Sequence, residues 1–187
     1  MFSVKIWLPL LLTFAAGIFT VLGSLITFFI KDFKRSYLQF ALGLSSGVMI
    51  YISFVELLPS AIRTIGPIKA NLAFFGGIIF FMLIDFFIPH EYIEEKVKTG
   101  VSDKRLMASG IFTTIGVAIH NFPEGIVVFV SALADIKLGI ILAIAIALHN
   151  IPEGIAVAVP IFYATKSKRK AFWYSFWAGF TEPAGAV

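Results

Sequence analysis

Two short stretches with nearly the same sequence, HNFPEG at residues 120–125 and HNIPEG at residues 149–154, decide the fold of this chain. In each stretch a histidine precedes a glutamate by four residues, which places both side chains on one face of a helix, one turn apart. A proline lies between them, and a proline inside a helix costs about 3 kcal/mol because it removes an N–H and clashes with the preceding turn. Both stretches lie in long apolar runs, where polar side chains and helix breakers indicate a functional site.

The composition around these stretches is that of an integral membrane protein. Of the 187 residues, 59% are hydrophobic and 14% are charged, with a mean hydropathy of +0.94, whereas soluble domains carry roughly 25% charged residues. We therefore predict an all-α integral membrane protein built as a helical bundle. The absence of cysteine excludes disulfides, iron–sulfur clusters and thiolate metal sites. The basic residues lie in short loops, so the high pI indicates a lipid bilayer as partner and no nucleic acid.

The apolar runs predict five complete transmembrane helices and the start of a sixth. Their approximate positions are 7–30, 37–61, 70–88, 107–134, 138–163 and 171–187. They form a single transmembrane domain over 1–187, in which 89–106 is the longest loop. The last run is barely long enough to span a bilayer, and we expect the chain to be truncated at its C-terminal end.

The two repeated stretches are predicted to lie side by side near the middle of the bilayer. Residues 135–137 form a very short connection, so the fourth and fifth spans must be antiparallel neighbours. Glu124 precedes Asp135 by eleven residues and His149 follows it by fourteen, which corresponds to about 16 and 21 Å of helix. The prolines predict interrupted helices with free carbonyl groups, a feature that marks substrate sites in transporters.

The distribution of positive charge predicts the orientation in the membrane. The loops after the first, third and fifth spans contain eleven Lys and Arg residues, and the opposite side contains four. Because positive residues favour the cytoplasmic side, we expect the N-terminus outside and the loop 89–106 in the cytoplasm.

Imidazole and carboxylate groups together suit divalent ions such as Zn²⁺, Fe²⁺, Mn²⁺ and Co²⁺, whereas Ca²⁺ and Mg²⁺ sites use oxygen ligands. The repeated stretches supply His120, Glu124, His149 and Glu153, with amide oxygens of Asn121 and Asn150 one position on. These groups exceed what one ion needs. If Glu56 and Glu182 join them, the ligand number favours two neighbouring ions bridged by carboxylates.

Several other polar residues remain open to two interpretations. Glu56, near the end of the second span, is either an interfacial or a functional intramembrane acid. Asp85 near the end of the third span is likewise either structural or functional. His90 and three neighbouring glutamates form either a loose surface metal site or a solvated face. The second span also has a face of small residues that includes Ser45.

The chain resembles the ZIP (Zrt/Irt-like) family of metal transporters, and within it the bacterial ZupT-type branch. The resemblance covers nearly the whole chain and is carried by the two repeated stretches, FVELLP at 54–59, residues 85–90 and GFTEP at 179–183. It implies a carrier of the cell inner membrane that brings Zn²⁺, and also Fe²⁺, Mn²⁺, Co²⁺ or Cd²⁺, into the cytoplasm. It also implies eight spans with both termini outside.

The resemblance further implies a binuclear site between the second, fourth, fifth and sixth spans. The metal residues it implies are His120, Asn121, Glu124, His149, Asn150, Glu153, Glu182 and Glu56. Neither a catalytic residue nor a resident cofactor is expected. Dimers are common among membrane carriers, so a homodimer is a candidate oligomeric state.

The alternatives to a transporter are a membrane-embedded metal enzyme and a metal sensor or channel. A zinc protease has the pattern His-Glu-x-x-His, in which the glutamate beside the first histidine acts as the base. Here Asn121 and Asn150 occupy that position. A di-iron oxygenase normally needs more histidines than the three present. We therefore favour transport.

Overall fold

The computed structural model describes residues 2–29, 35–87 and 103–187, and these are almost entirely helical. The helices are α1 (Phe2–Thr27), α2 (Arg35–Ile52), α3 (Leu58–Ile65), α4 (Pro67–Phe87), α5 (Asp103–Ala134), α6 (Ile136–Thr165) and α7 (Lys168–Gly185). A π-helical turn, Ser53–Leu57, joins α2 to α3. Because the described ranges contain no strand, the all-α prediction is confirmed. Helices satisfy their own backbone hydrogen bonds, which the interior of a bilayer requires.

Four helical stretches in the described part of the chain are long and apolar enough to cross a membrane. They are Ile6–Thr27, Gln39–Ile65, Lys104–Ala134 and Ile136–Thr165, and Pro67–Leu83 is a shorter apolar helix. The protein is therefore a multi-pass membrane protein. Most of the predicted loop 89–106 lies outside the described residues, but α5 already begins at Asp103, so the helix begins before the predicted span.

The central helix of the bundle is α6, which contacts α1, α2, α5 and α7. Most of its residues are buried, whereas those of α2 and α4 are largely exposed. Asp135 alone separates α5 from α6, and its carboxylate accepts a hydrogen bond of 2.9 Å from the backbone N–H of Lys137. This N-cap satisfies one of the free donors at the start of α6. The short connection makes α5 and α6 antiparallel neighbours.

The glycine that ends each repeated stretch is a point where two helices touch backbone to backbone. A Cβ atom on Gly125 would collide with the carbonyl oxygen of Glu182 on α7. A Cβ atom on Gly154 would collide with the carbonyl oxygen of Thr20 on α1. Residues without a side chain permit such approaches in membrane bundles. These two crossings hold α7 against α5 and α1 against α6, so each repeated stretch has a neighbouring helix pressed against it.

The prediction that the prolines interrupt the helices is wrong. α5 runs through Pro123 without a break, and α6 runs through Pro152 and Pro160. Proline removes one backbone donor but keeps a helical φ, and the packed neighbours hold the remaining turns in place. The interruption lies instead in the second span, where the π-helical turn contains Glu56.

Candidate metal centre

The two histidine–glutamate pairs form one cluster between α5 and α6. Nε2 of His120 lies 3.1 Å from Oε1 of Glu124, and Nε2 of His149 lies 3.1 Å from Oε1 of Glu153. The pairs also approach each other, since the two Nε2 atoms are 3.1 Å apart. Across the cluster, Nε2 of His120 is 3.7 Å from Glu153 and Nε2 of His149 is 3.6 Å from Glu124.

These five spacings are close to those expected around an ion with two nitrogen and two oxygen ligands. With bonds of about 2.1 Å to each ligand, the ligand atoms around a tetrahedral zinc ion lie about 3.4 Å from one another. Single ligand atoms of His120, Glu124 and His149 all lie within 4.8 Å of one another. Oε1 of Glu153, on α6, lies 3.1 Å from Nε2 of His149 and 3.7 Å from Nε2 of His120 and is the fourth candidate ligand atom. The arrangement can therefore hold one divalent ion without any rearrangement of the helices.

The two asparagines lie on the buried side of this cluster. Nδ2 of Asn150 donates a hydrogen bond of 2.7 Å to Oε2 of Glu182 and one of 3.0 Å to the carbonyl of Ala16 on α1. The Asn121 amide is oriented so that Nδ2 donates a hydrogen bond of 3.0 Å to Oε2 of Glu153. Both asparagines and Glu182 are fully buried. The amides thus orient two carboxylates and bring Glu182 of α7 next to the repeated stretches.

Several buried acceptor atoms beside the cluster have no hydrogen-bond donor. They are Oε2 of Glu124, Oε1 of Glu182 and Oδ1 of Asn150, whereas Oε1 of Glu124 faces Nε2 of His120 at 3.1 Å. Buried polar atoms are almost always paired, and exceptions call for an explanation. Unpaired buried carboxylates are costly, and the apolar runs 107–134 and 138–163 contain no Lys or Arg to neutralise them. Buried carboxylate and amide oxygens without a neighbouring Lys or Arg form a site that attracts cations.

Among the predicted metal residues, Glu56 is the one that the described structure does not bring into the cluster. It lines a cavity of about 490 Å³ between α2 and α6, together with Gly43, Tyr51 and Ile141. The Asp85 side chain and His90 lie outside the described residues.

One polar contact to the cluster was not anticipated from the sequence. The hydroxyl of Ser45 on α2 lies 2.5 Å from Nδ1 of His149, on the side of the ring opposite the other ligands. In the sequence Ser45 was assigned only to a face of small residues. The sequence around a serine in a transmembrane helix does not predict which residue the serine contacts. For Ser45, that partner depends on the register between α2 and α6.

The multi-pass helical fold and the intramembrane imidazole–carboxylate cluster together define the class of the protein. It is a membrane protein with a candidate intramembrane site for divalent metal ions.

The comparisons with known proteins give the family. Residues 89–187 match the model of the ZIP zinc transporter family. The chain is 51% identical to the zinc transporter ZupT of Chlorobium phaeovibrioides, over 95% of this chain and 73% of the relative. It is 45% identical to ZupT of Streptococcus mutans, over 99% and 75%, and 42% identical to ZupT of Campylobacter jejuni, over 97% and 75%. The chain belongs to the ZIP family, so the enzyme and sensor alternatives are not favoured.

Proposed function

We propose that this protein carries Zn²⁺ across the cell inner membrane into the cytoplasm, and that Fe²⁺, Mn²⁺, Co²⁺ and Cd²⁺ are further candidate cargoes. The observation that carries the proposal is the close approach of two imidazole nitrogens and two carboxylate oxygens between α5 and α6. The zinc transporter relatives support it. We further propose that the protein is a carrier without catalytic activity, since Asn121 and Asn150 occupy the positions where a zinc protease has its base.

The first ion is bound by His120, Glu124, His149 and Glu153. This ligand set mixes nitrogen with oxygen, which suits borderline first-row ions and is poor for Mg²⁺ and Ca²⁺. The His120 side chain is 43% exposed, whereas that of His149 is 11% exposed. His120 is therefore the more accessible ligand of the ion, and His149 forms the inner wall.

A second ion binds beside the first, on the unpaired acceptors of Glu124, Asn150 and Glu182. Glu124 then bridges the two ions, because Oε1 faces the histidines of the first ion and Oε2 has no hydrogen-bond donor and is free for the second. Asn121 contributes from α5 on the same side, where it is fully buried. Glu56 lines the cavity between α2 and α6 and acts there, on the path of the ion to the centre. Two ions would supply the positive charge that the buried carboxylates otherwise lack.

Uptake into liposomes tests the proposal. The purified protein, reconstituted into liposomes that contain a fluorescent zinc indicator, is expected to admit Zn²⁺ and to exclude Mg²⁺ and Ca²⁺. His149→Ala and Glu153→Gln should abolish uptake because each removes a ligand of the first ion. Thr114→Val is the matched control on α5, since the Thr114 hydroxyl donates to the carbonyl of Gly110 in its own helix. Unchanged uptake by His149→Ala would contradict the proposed site.

Thiol labelling tests the proposed orientation, in which the N-terminus is outside and residues 89–106 are cytoplasmic. The chain has no cysteine, so single substitutions can be labelled without background. A membrane-impermeant thiol reagent added to intact cells should label Lys137→Cys and should not label Lys96→Cys. The reverse labelling pattern would contradict the proposed orientation and, with it, the proposed direction of transport. We also propose that the chain forms a homodimer, as is common among membrane carriers, and chemical cross-linking of the same variants tests this.

A further inference from the structure

The inward face of α2 contains a buried polar residue that the proposed transport site does not use. Among the described residues of α2, only Ser45 and Ile52 are buried, and they are seven residues apart, which places both on the face that packs against α6. Ile52 belongs to the apolar cluster that includes Ile146 of α6. Ser45 is 5% exposed and brings a hydroxyl group into the same contact. A buried hydroxyl needs a hydrogen-bond partner.

That partner is the imidazole of His149, which offers Nδ1 to the hydroxyl and Nε2 to the other ligands. Oγ of Ser45 lies 2.5 Å from Nδ1 and 3.4 Å from the backbone oxygen of His149. A neutral imidazole has one N–H and one nitrogen with a free lone pair. For Nε2 to bind an ion, the proton must therefore be on Nδ1. Ser45 can accept that N–H and direct its own O–H to the backbone oxygen.

We propose that Ser45 is a positioning residue for the transported ion. Its hydroxyl accepts the Nδ1–H of His149, which keeps the ring in the tautomer whose Nε2 lone pair faces the ion. This inference rests on the proposed function, because it requires that His149 bind the cargo. A hydrogen-bond partner of this kind orients the histidine and makes it a stronger ligand, and its loss typically costs about 10–100-fold in metal affinity. Ser45 also differs from the ligands in coming from α2.

Calorimetric titration of the purified chain with Zn²⁺ measures the effect. Ser45→Ala should raise the dissociation constant by about 10–100-fold, whereas Ser45→Thr keeps the hydroxyl and should restore most of the affinity. Ser46→Ala is the matched control, since it removes the same group from the next residue of α2, which is exposed. Thermal unfolding of each variant in detergent shows that the fold is retained.

A spectroscopic measurement separates a hydrogen bond from mere packing. The chain has three histidines, so the ¹⁵N spectrum of histidine-labelled protein can be assigned with single substitutions. In the zinc-loaded protein, Nδ1 of His149 should be protonated and hydrogen-bonded. Ser45→Ala should shift this resonance and leave those of His120 unchanged.

Three outcomes would overturn the role of Ser45. They are unchanged zinc affinity in Ser45→Ala, an equal loss of affinity in Ser45→Ala and Ser45→Thr, and an Nδ1 resonance that does not move in Ser45→Ala. Failure of the proposed function is distinguished by His149→Ala. If His149→Ala binds and carries Zn²⁺ normally, the site itself is wrong. If it loses Zn²⁺ while Ser45→Ala behaves as the wild type, only the role of Ser45 is wrong.

Discussion

Gly125→Ala should remove the second zinc ion and leave the first. The added Cβ atom would lie 2.6 Å from the carbonyl carbon of Glu182 and 3.1 Å from its Cα, whereas ordinary contacts begin at 3.4 Å. Because the obstacle is backbone, α7 must retreat by roughly 1 Å in this close-packed contact. Metal–ligand distances tolerate only about 0.2 Å. Glu182 therefore leaves the second ion, while the ligands of the first ion lie on α5 and α6 and stay in place.

Calorimetry and uptake together measure this effect. The number of Zn²⁺ ions bound per chain should fall from two to one, and uptake into liposomes should fall by about tenfold or more, as is typical when groups move by about 1 Å. Gly76→Ala is the control, since a Cβ atom there meets nothing within 4 Å. Two bound ions and unchanged uptake in Gly125→Ala would refute the assignment of Glu182 to the second ion and the rigidity of this crossing.

Three further predictions concern groups around the centre. Asn150→Ala should lower the free energy of unfolding in detergent by about 1–3 kcal/mol, because Glu182 loses a buried donor; a loss close to zero would contradict this. Asp135→Ala should lower it by about 1 kcal/mol through the lost N-cap, and liposome uptake should not change. Glu56→Gln should leave the zinc stoichiometry unchanged in calorimetry and slow uptake, since Glu56 lies in its own cavity; loss of a bound ion would instead make Glu56 a ligand.

Much of the candidate site was predictable from the sequence because its main elements are local. A histidine and a glutamate four residues apart share a helix face whatever the rest of the chain does. The single residue between α5 and α6 makes them antiparallel neighbours. Together these two facts bring His120 and Glu124 opposite His149 and Glu153. The glycines after the glutamates belong to the same stretches, and both lie where two helices touch backbone to backbone.

The predictions that were wrong or incomplete depend on packing between distant segments. The effect of a proline on its helix depends on the neighbours that support the remaining turns, so the continuity of α5 through Pro123 could not be predicted from the sequence. The position of Glu56 depends on the π-helical turn, which adds a residue to one turn of the second span and changes the face on which Glu56 lies.

The sequence by itself determined the membrane class, the all-α fold, the family and the central histidine–glutamate pairs. Apolar length, charge composition and the 3.6-residue helical period act within a segment and leave a signal in it. Only the tertiary structure decided that Asn150 orients Glu182 and that Ser45 contacts His149. Residues 45 and 149 lie 104 positions apart. Their contact depends on the register between α2 and α6, and nothing in either segment alone specifies that register.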